Sequence, residues 1–281
     1  MSSVLSESLP WSDAAIAEAF VSARLAARSL PGFPGEHIPA DQAAGYRIQD
    51  AAIARWPDDI AGWKIGFIAP ARRDASNDER VLGPVFARQL RFAGTEDDLS
   101  FPVFAGGFAA VEAEYAFRIA HDVPIDRHHY DAGAAAKVVD AMHIAIETAG
   151  SPLATINHLG PTVVVSDFGN NAGLIVGPAI RDWRTRDPAS LRCATFVDGE
   201  HVGSGGAERL QPSPLAALAF ALGRLARRGH APRAGCWITT GAATGIHDIV
   251  SGASALIDFG GDGRLRCHAV PAAPHAAPAS C

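Results

Sequence analysis

Lysine is nearly missing from this chain of 281 residues: of its 24 basic residues, only Lys64 and Lys137 are lysines. Arginine can replace lysine as a surface charge but not as a titratable amine, so each remaining lysine is a candidate for a specific role. Cysteine is scarce as well. Cys193, Cys236, Cys267 and Cys281 are widely spaced and form no CxxC pair, which leaves neither a zinc knuckle nor a disulfide framework. Reduced thiols in a cytoplasmic protein are the expectation. Long apolar runs are absent too, since the longest, Leu215 to Leu222, falls far short of the roughly 20 residues that cross a bilayer. Basic residues gather nowhere, and a net charge of -6 argues against nucleic-acid binding. Met1 to Val4 carry no basic stretch leading into an apolar one, so no export signal is expected.

What is present reads as a globular chain, 48% hydrophobic and 19% charged, with room for one large domain or a core domain and a smaller lobe. Helices are predicted over Ala14 to Arg28 behind Ser12, over Asp41 to Arg55, over Asp131 to Asp140 and over Pro214 to Arg228. The last has Ser213 as N-cap, Pro214 at the first position and Gly229 beyond its end. Strands are predicted over Ile60 to Ile68, Phe108 to Ile119, Met142 to Glu147, Pro161 to Ser166, Ala172 to Val176, Cys236 to Thr240 and Ala253 to Phe259. Ala71 to Glu79 reads as a polar loop, and the Ala/Pro-rich stretch from Ala269 onward as a disordered tail.

Three acids stand out. In FAAVEAEYAFRI, Glu112 and Glu114 share one strand face, about 7 Å apart, opposite Val111, Ala113, Tyr115 and Phe117. Alone, such a pair is better explained by a solvated sheet edge. Glu147 changes the balance because it ends the apolar run MHIAIE, where an unpaired carboxylate is costly to bury. Three hard oxygen donors without Cys or His favour Mg²⁺ or Mn²⁺. Lys64 lies between Gly62 and Gly66 in IAGWKIGFI. The glycines either leave space around the amine or mark close backbone contacts. Partial burial would lower the lysine pKa toward neutrality and suit it to proton transfer. Weaker signals are His128-His129 in a polar loop, His143 on the strand face of Glu147, and Gly203-Ser204-Gly205-Gly206, which lacks the spacing of a phosphate loop.

Read in order, GWKIGF around Lys64, GPVF from Gly83, VEAEYAF, AIETAGS, SDFGNNAGLIVGP and WITTGAATG resemble the 2-keto-4-pentenoate hydratase group (2-hydroxypentadienoate hydratases) of the fumarylacetoacetate hydrolase superfamily. The resemblance runs from about Asp41 to about Val270. It implies an α+β fold: residues 1–70 as an N-terminal helical lobe, 71–268 as a mixed, rolled β-sandwich catalytic domain, and 269–281 as a disordered tail. It further implies Glu112, Glu114 and Glu147 as ligands of Mg²⁺ or Mn²⁺, Lys64 as the active-site lysine, and a pocket lined by Asn170, Asn171, Ala172, Gly173, Thr240 and Gly241. Homo-oligomers, dimers or assemblies of dimers, are expected, with a small 2-oxo acid as the partner molecule and neither nucleic acid nor membrane.

Two positions depart from the group. Val81 stands where many hydratases carry an Asp, and Ser151-Pro152 where Ser-Arg often follows the third glutamate. The implied activity is a hydro-lyase that adds water to a 2-hydroxy-2,4-dienoate or its 2-oxo tautomer, giving a 4-hydroxy-2-oxo acid in the catabolism of aromatic-ring cleavage products. A 4-oxalocrotonate-type decarboxylase is the nearest alternative. A C–C hydrolase and a non-catalytic oxo-acid-binding protein stand further off.

Overall fold

The computed structural model describes residues 12–94 and 96–275. Two capped helices come first. In α1 (Asp13–Leu25) the Ser12 hydroxyl accepts from the Ala15 amide, and in α2 (Gln42–Ile53) the Asp41 carboxylate accepts from the Ala44 amide. The chain then enters strands β1 (Ile60–Phe67), β2 (Arg80–Phe86), β3 (Leu90–Phe92), β4 (Asp98–Val103) and β5 (Phe108–Ile119). A short helix α3 (Ala132–Ala136) precedes the long strand β6 (Val139–Ser151), two helical turns α4 (Ile156–Leu159) and α5 (Pro161–Ser166), and β7 (Asn171–Ala179). Strands β8 (Arg192–Val197) and β9 (Glu200–Gly206) lead to α6 (Pro214–Arg227). The chain closes through β10 (Trp237–Thr239), β11 (Ile246–Asp248), β12 (Ser254–Asp258) and β13 (Arg264–Pro271).

Two curled sheets result. The larger has eight strands in the order β2-β1-β10-β5-β6-β7-β3, with β11 also pairing with β5; the smaller runs β4-β13-β12-β8-β9. Strand β5 sits centrally, antiparallel to β6, β10 and β11. Its odd-numbered side chains enter the main core, where Val111, Tyr115 and Phe117 belong to the same continuous cluster as Ile16 and Phe20 of α1 and Tyr46 of α2. Its even face carries a small second cluster with Ala116, Ala145, Leu174 and Val176, and beyond that cluster the glutamates.

Several elements differ from the sequence reading. Pro161–Ser166 is helical and not a strand: Pro161 at the first position favours the turn, and Val163, Val164 and Val165 are all buried, so packing overrides their β-branched preference. The helix expected over Asp131 to Asp140 is only α3, because Val139 already begins β6. Strand β13 includes Ala269, Val270 and Pro271, and the backbone stays placed to His275, whose ring packs on Trp56. The stretch read as a tail is thus a sheet strand at its start, while 276–281 lie outside the described residues. A division at residue 70 would part β1 from its antiparallel neighbour β2. Among the described residues, no helix is long and apolar enough to cross a membrane.

Candidate metal and active site

The β5–β6 register places Glu112 opposite Glu147 and Glu114 opposite Ala145. All three glutamates are buried, and one oxygen from each lies within 4.8 Å of one from each of the others. Beside them β10 ends at Thr239 and β11 begins at Ile246, so the chain between leaves the ladder opposite Glu114. The freed amides of Thr240 and Gly241 donate to Glu114 Oε2 at 3.1 and 2.7 Å. Asn171 Nδ2 donates to Glu147 Oε1 at 3.1 Å.

Lys64 extends from β1 into the same group. Its Nζ lies 3.1 Å from Glu147 Oε1 and donates to Asn170 Oδ1 at 3.1 Å. Asn170 is held in turn, its Nδ2 donating to Asn157 Oδ1 at 3.0 Å. The two glycines flanking Lys64 divide the explanations between them. A Cβ on Gly62 would meet Trp237 O at 2.6 Å, a close strand contact, whereas one on Gly66 would intrude between Val81 and the Lys64 amine.

After these bonds, Glu112 Oε1, Glu114 Oε1 and Glu147 Oε2 are buried without any hydrogen-bond partner. Burial, then the Glu147 charge, push Glu112 up to about 8, with Lys64 opposing. Burial also holds Glu114 well above the usual carboxylate range, reinforced by Glu147 and Glu112. Glu147 is raised by burial against the pull of Lys64. Three carboxylates and one ammonium leave two negative charges, which one divalent cation neutralises while using the orphaned oxygens. The donor set is all hard oxygen, so it fits Mg²⁺, Mn²⁺ or Ca²⁺. For Lys64 the outcome is opposite to the sequence reading. Burial alone would lower its pKa, but Glu147 and Glu112 outweigh burial and raise it. In the metal-free site it is an ammonium.

A cavity of about 490 Å³ opens onto this cluster, with Lys64, Glu112 and Asn170 in its lining. Val81, Val164 and Phe108 form apolar walls, and Phe67 and Ile246 stand half-exposed in its lining. Of the residues expected to line the pocket, Asn170 does. Asn171, Thr240 and Gly241 support glutamates from outside it, and Ala172 and Gly173 lie on β7, where a Cβ on Gly173 would reach Thr148 Oγ1 at 2.8 Å. Four polar lining residues carried no sequence signal: Arg72, Asn157, His158 and Asp248. They come from a single turn after β1, from the short turn α4 and from the end of the three-residue strand β11, all too brief for periodicity to mark a face. Among the weaker candidates, His143 Nδ1 lies 2.7 Å from Gly177 O with its ring against Trp237, a packing role. His128 faces α6, its carbonyl accepting from Arg227, and Gly203 to Gly206 lie in β9.

No protein-family model and no curated protein matches the chain. Among solved structures, 4-oxalocrotonate decarboxylase from Pseudomonas putida G7 complexed with calcium and acetate is similar, with a TM-score of 0.73 and 19% identity, covering 92% of this chain and 97% of that one. Its complex with magnesium and adipate gives 0.73 and 20% over the same shares. Fumarylpyruvate hydrolase from Pseudomonas aeruginosa, in complex with Mn²⁺ and pyruvate, gives 0.56 and 17%, covering 75% and 89%. The chain shares the mixed α/β fold with curled sheets of these structures. At these identities the likeness concerns architecture alone. Within this fold, the curled sheet and its interrupted β10–β11 edge bring the three glutamates and Lys64 to one point.

Proposed function

We propose that the protein is a divalent-metal-dependent lyase acting on a small 2-oxo acid, with hydration of a 2-hydroxy-2,4-dienoate or 2-oxo-4-enoate as its reaction. The observation that carries this reading is the set of three orphaned glutamate oxygens beside a buried lysine at a cavity. Glu112, Glu114 and Glu147 would hold Mg²⁺ or Mn²⁺, which supplies Lewis acidity toward the C1 carboxylate and C2 oxygen of the substrate. Neighbours of the same fold in complex with magnesium or Mn²⁺ support that choice. The reading includes a cytoplasmic homo-oligomer, an N-terminal helical lobe and a rolled sandwich catalytic domain.

Lys64 is the proton carrier. Two of its three N–H groups point to Glu147 and Asn170, which fixes the amine and leaves the third for substrate. As an ammonium it acts first as an acid, delivering a proton to the terminal carbon of the dienol while the C2 hydroxyl gives its own proton to the amine and becomes a ketone, which restores the ammonium. Water then adds at C4, and C3 takes a proton to give the 4-hydroxy-2-oxo acid. Asn157, His158 and Asp248 are the cavity groups able to hold that water.

One observation favours decarboxylation instead. Val81 is buried in the cavity wall, so no carboxyl at that position activates water. Loss of CO₂ needs only the enolate and its protonation, both within reach of the same cluster. Pure protein with Mg²⁺, incubated with 2-hydroxypenta-2,4-dienoate and then with 4-oxalocrotonate, separates these readings by product. A hydroxy-oxo acid supports hydration, released CO₂ supports decarboxylation, and neither product would sink the enzyme reading.

A further inference from the structure

We propose that Arg24, on the first helix and remote in sequence from Glu112, Glu114 and Glu147, is a positioning residue for the metal site; this rests on the metal reading above. Arg24 is buried, and its guanidinium makes five bonds across the start of β7. Nε and Nη2 grip Asp167 Oδ1 and Oδ2 at 2.5 and 3.0 Å, and Nη2 also donates to Asp167 O at 3.3 Å. Nη1 donates to Asn171 O at 3.0 Å, and Nη2 to Gly150 O at 2.9 Å. Phe104 and Phe168 flank the group, with ring centroids 5.6 and 5.2 Å away.

These acceptors bracket one turn. Between Asp167 and Asn171 the backbone takes three consecutive left-handed residues, Phe168, Gly169 and Asn170, with φ of 53°, 63° and 55°. Phe168 carries a side chain that disfavours this conformation, and three such residues in succession are rare even where Asn and Gly tolerate it singly, so the turn persists only where its surroundings hold it. Arg24 ties both of its ends together and fastens them to β6 at Gly150, three residues past Glu147. Ser151 completes the clamp by donating to Asp167 Oδ2 at 2.5 Å. The turn delivers Asn170 to Lys64 and Asn171 to Glu147. Its geometry therefore sets where the Glu147 carboxylate and the Lys64 amine sit. A lysine cannot reproduce the planar fork that grips Asp167 while reaching two backbone carbonyls.

Arg24→Lys, Asp167→Asn and Ser151→Ala, made in the full chain, test this by Mn²⁺ titration followed by electron paramagnetic resonance, each below its own melting temperature. Wild type is expected to bind Mn²⁺, and Arg24→Lys and Asp167→Asn to bind it roughly 10–100-fold more weakly, as groups that orient ligands typically do. Ser151→Ala should shift affinity in the same direction by less. A purely structural clamp would lower melting temperature and leave Mn²⁺ affinity untouched in whichever variants fold. Unchanged affinity in a folded Arg24→Lys or Asp167→Asn protein overturns the inference, as does unchanged affinity in Ser151→Ala should the other two fail to fold. Wild-type protein that takes up no Mn²⁺ overturns the metal reading instead, which keeps the two failures apart.

Discussion

Glu112 and Glu147 stand directly opposite one another in the β5–β6 ladder, both buried, with Lys64 reaching only Glu147. Like charges paired across strands destabilise a sheet, and burial deepens the cost. Glu112→Gln removes one charge while keeping shape. Metal-free protein carrying it should melt higher than wild type at pH 8 in EDTA. The same variant should lose Mn²⁺ affinity by more than the roughly 10–100-fold typical of a supporting residue. A lower melting temperature without metal would contradict the electrostatic account.

The raised carboxylates also set a pH trend. A carboxyl whose folded pKa exceeds its unfolded value binds protons more tightly when folded, so its contribution is complete below the unfolded pKa. That contribution is lost as pH rises through the folded value, which for Glu112 is about 8. Metal-free protein should therefore lose stability from about pH 4.5 to about pH 8, with Glu114 and Glu147 adding in the same direction. Mn²⁺ needs the ionised ligands, so its affinity should climb across the same window. Chemical denaturation at several pH values, with and without Mn²⁺, measures both slopes; a metal-free stability that rises toward pH 8 would refute the assignment.

Lys64→Met separates binding from chemistry. Removing the ammonium leaves the buried Glu147 carboxylate without its partner, so metal-free stability should fall at neutral pH while Mn²⁺ binds as tightly or more tightly. Turnover should nevertheless drop by about 10²–10⁴-fold, the usual contribution of a positioned proton carrier. Titration and kcat on the same preparation decide the matter, and near-wild-type turnover would remove Lys64 from the mechanism.

The sequence made the central strand legible because β5 alternates without a break: Phe108–Ile119 has the bounds read from its period, and α6 has its cap, proline and terminal glycine. The glutamates were visible for the same reason, as acids placed in apolar strands. Much of the smaller sheet was not. β4, β8, β9 and β13 mix exposed and buried residues without a run that sets them apart from loop. The Lys64 charge state is not legible in the sequence, because burial alone points the wrong way and the carboxylates that reverse it are brought together only by the β1–β5–β6 arrangement. Arg24 was invisible in principle, since its partners lie more than a hundred residues away.

Gly83 offers a test of how tightly the left-handed turn is held against β2. It pairs with Lys64 across the β1–β2 ladder, and a Cβ added to it would fall 1.9 Å from Phe168 O and 2.9 Å from Gly169 Cα. Both obstacles are backbone, so neither swings aside as a side chain would. Either β2 or the turn must move, and Asn170 moves with the turn, away from Lys64. Gly83→Ala should cost about 1–3 kcal/mol, as overpacking does in a close-packed core. For a chain of this size that lowers the melting temperature by on the order of 5 °C. Gly32→Ala, where an added Cβ meets nothing within 4 Å, is the control and should melt like wild type or slightly higher. Turnover should fall in Gly83→Ala well below the temperature at which it melts, because the Lys64–Asn170 bond is disturbed while the protein is still folded. Full activity in a destabilised Gly83→Ala protein would mean that the turn tolerates displacement and that Asn170 does not hold the lysine in place.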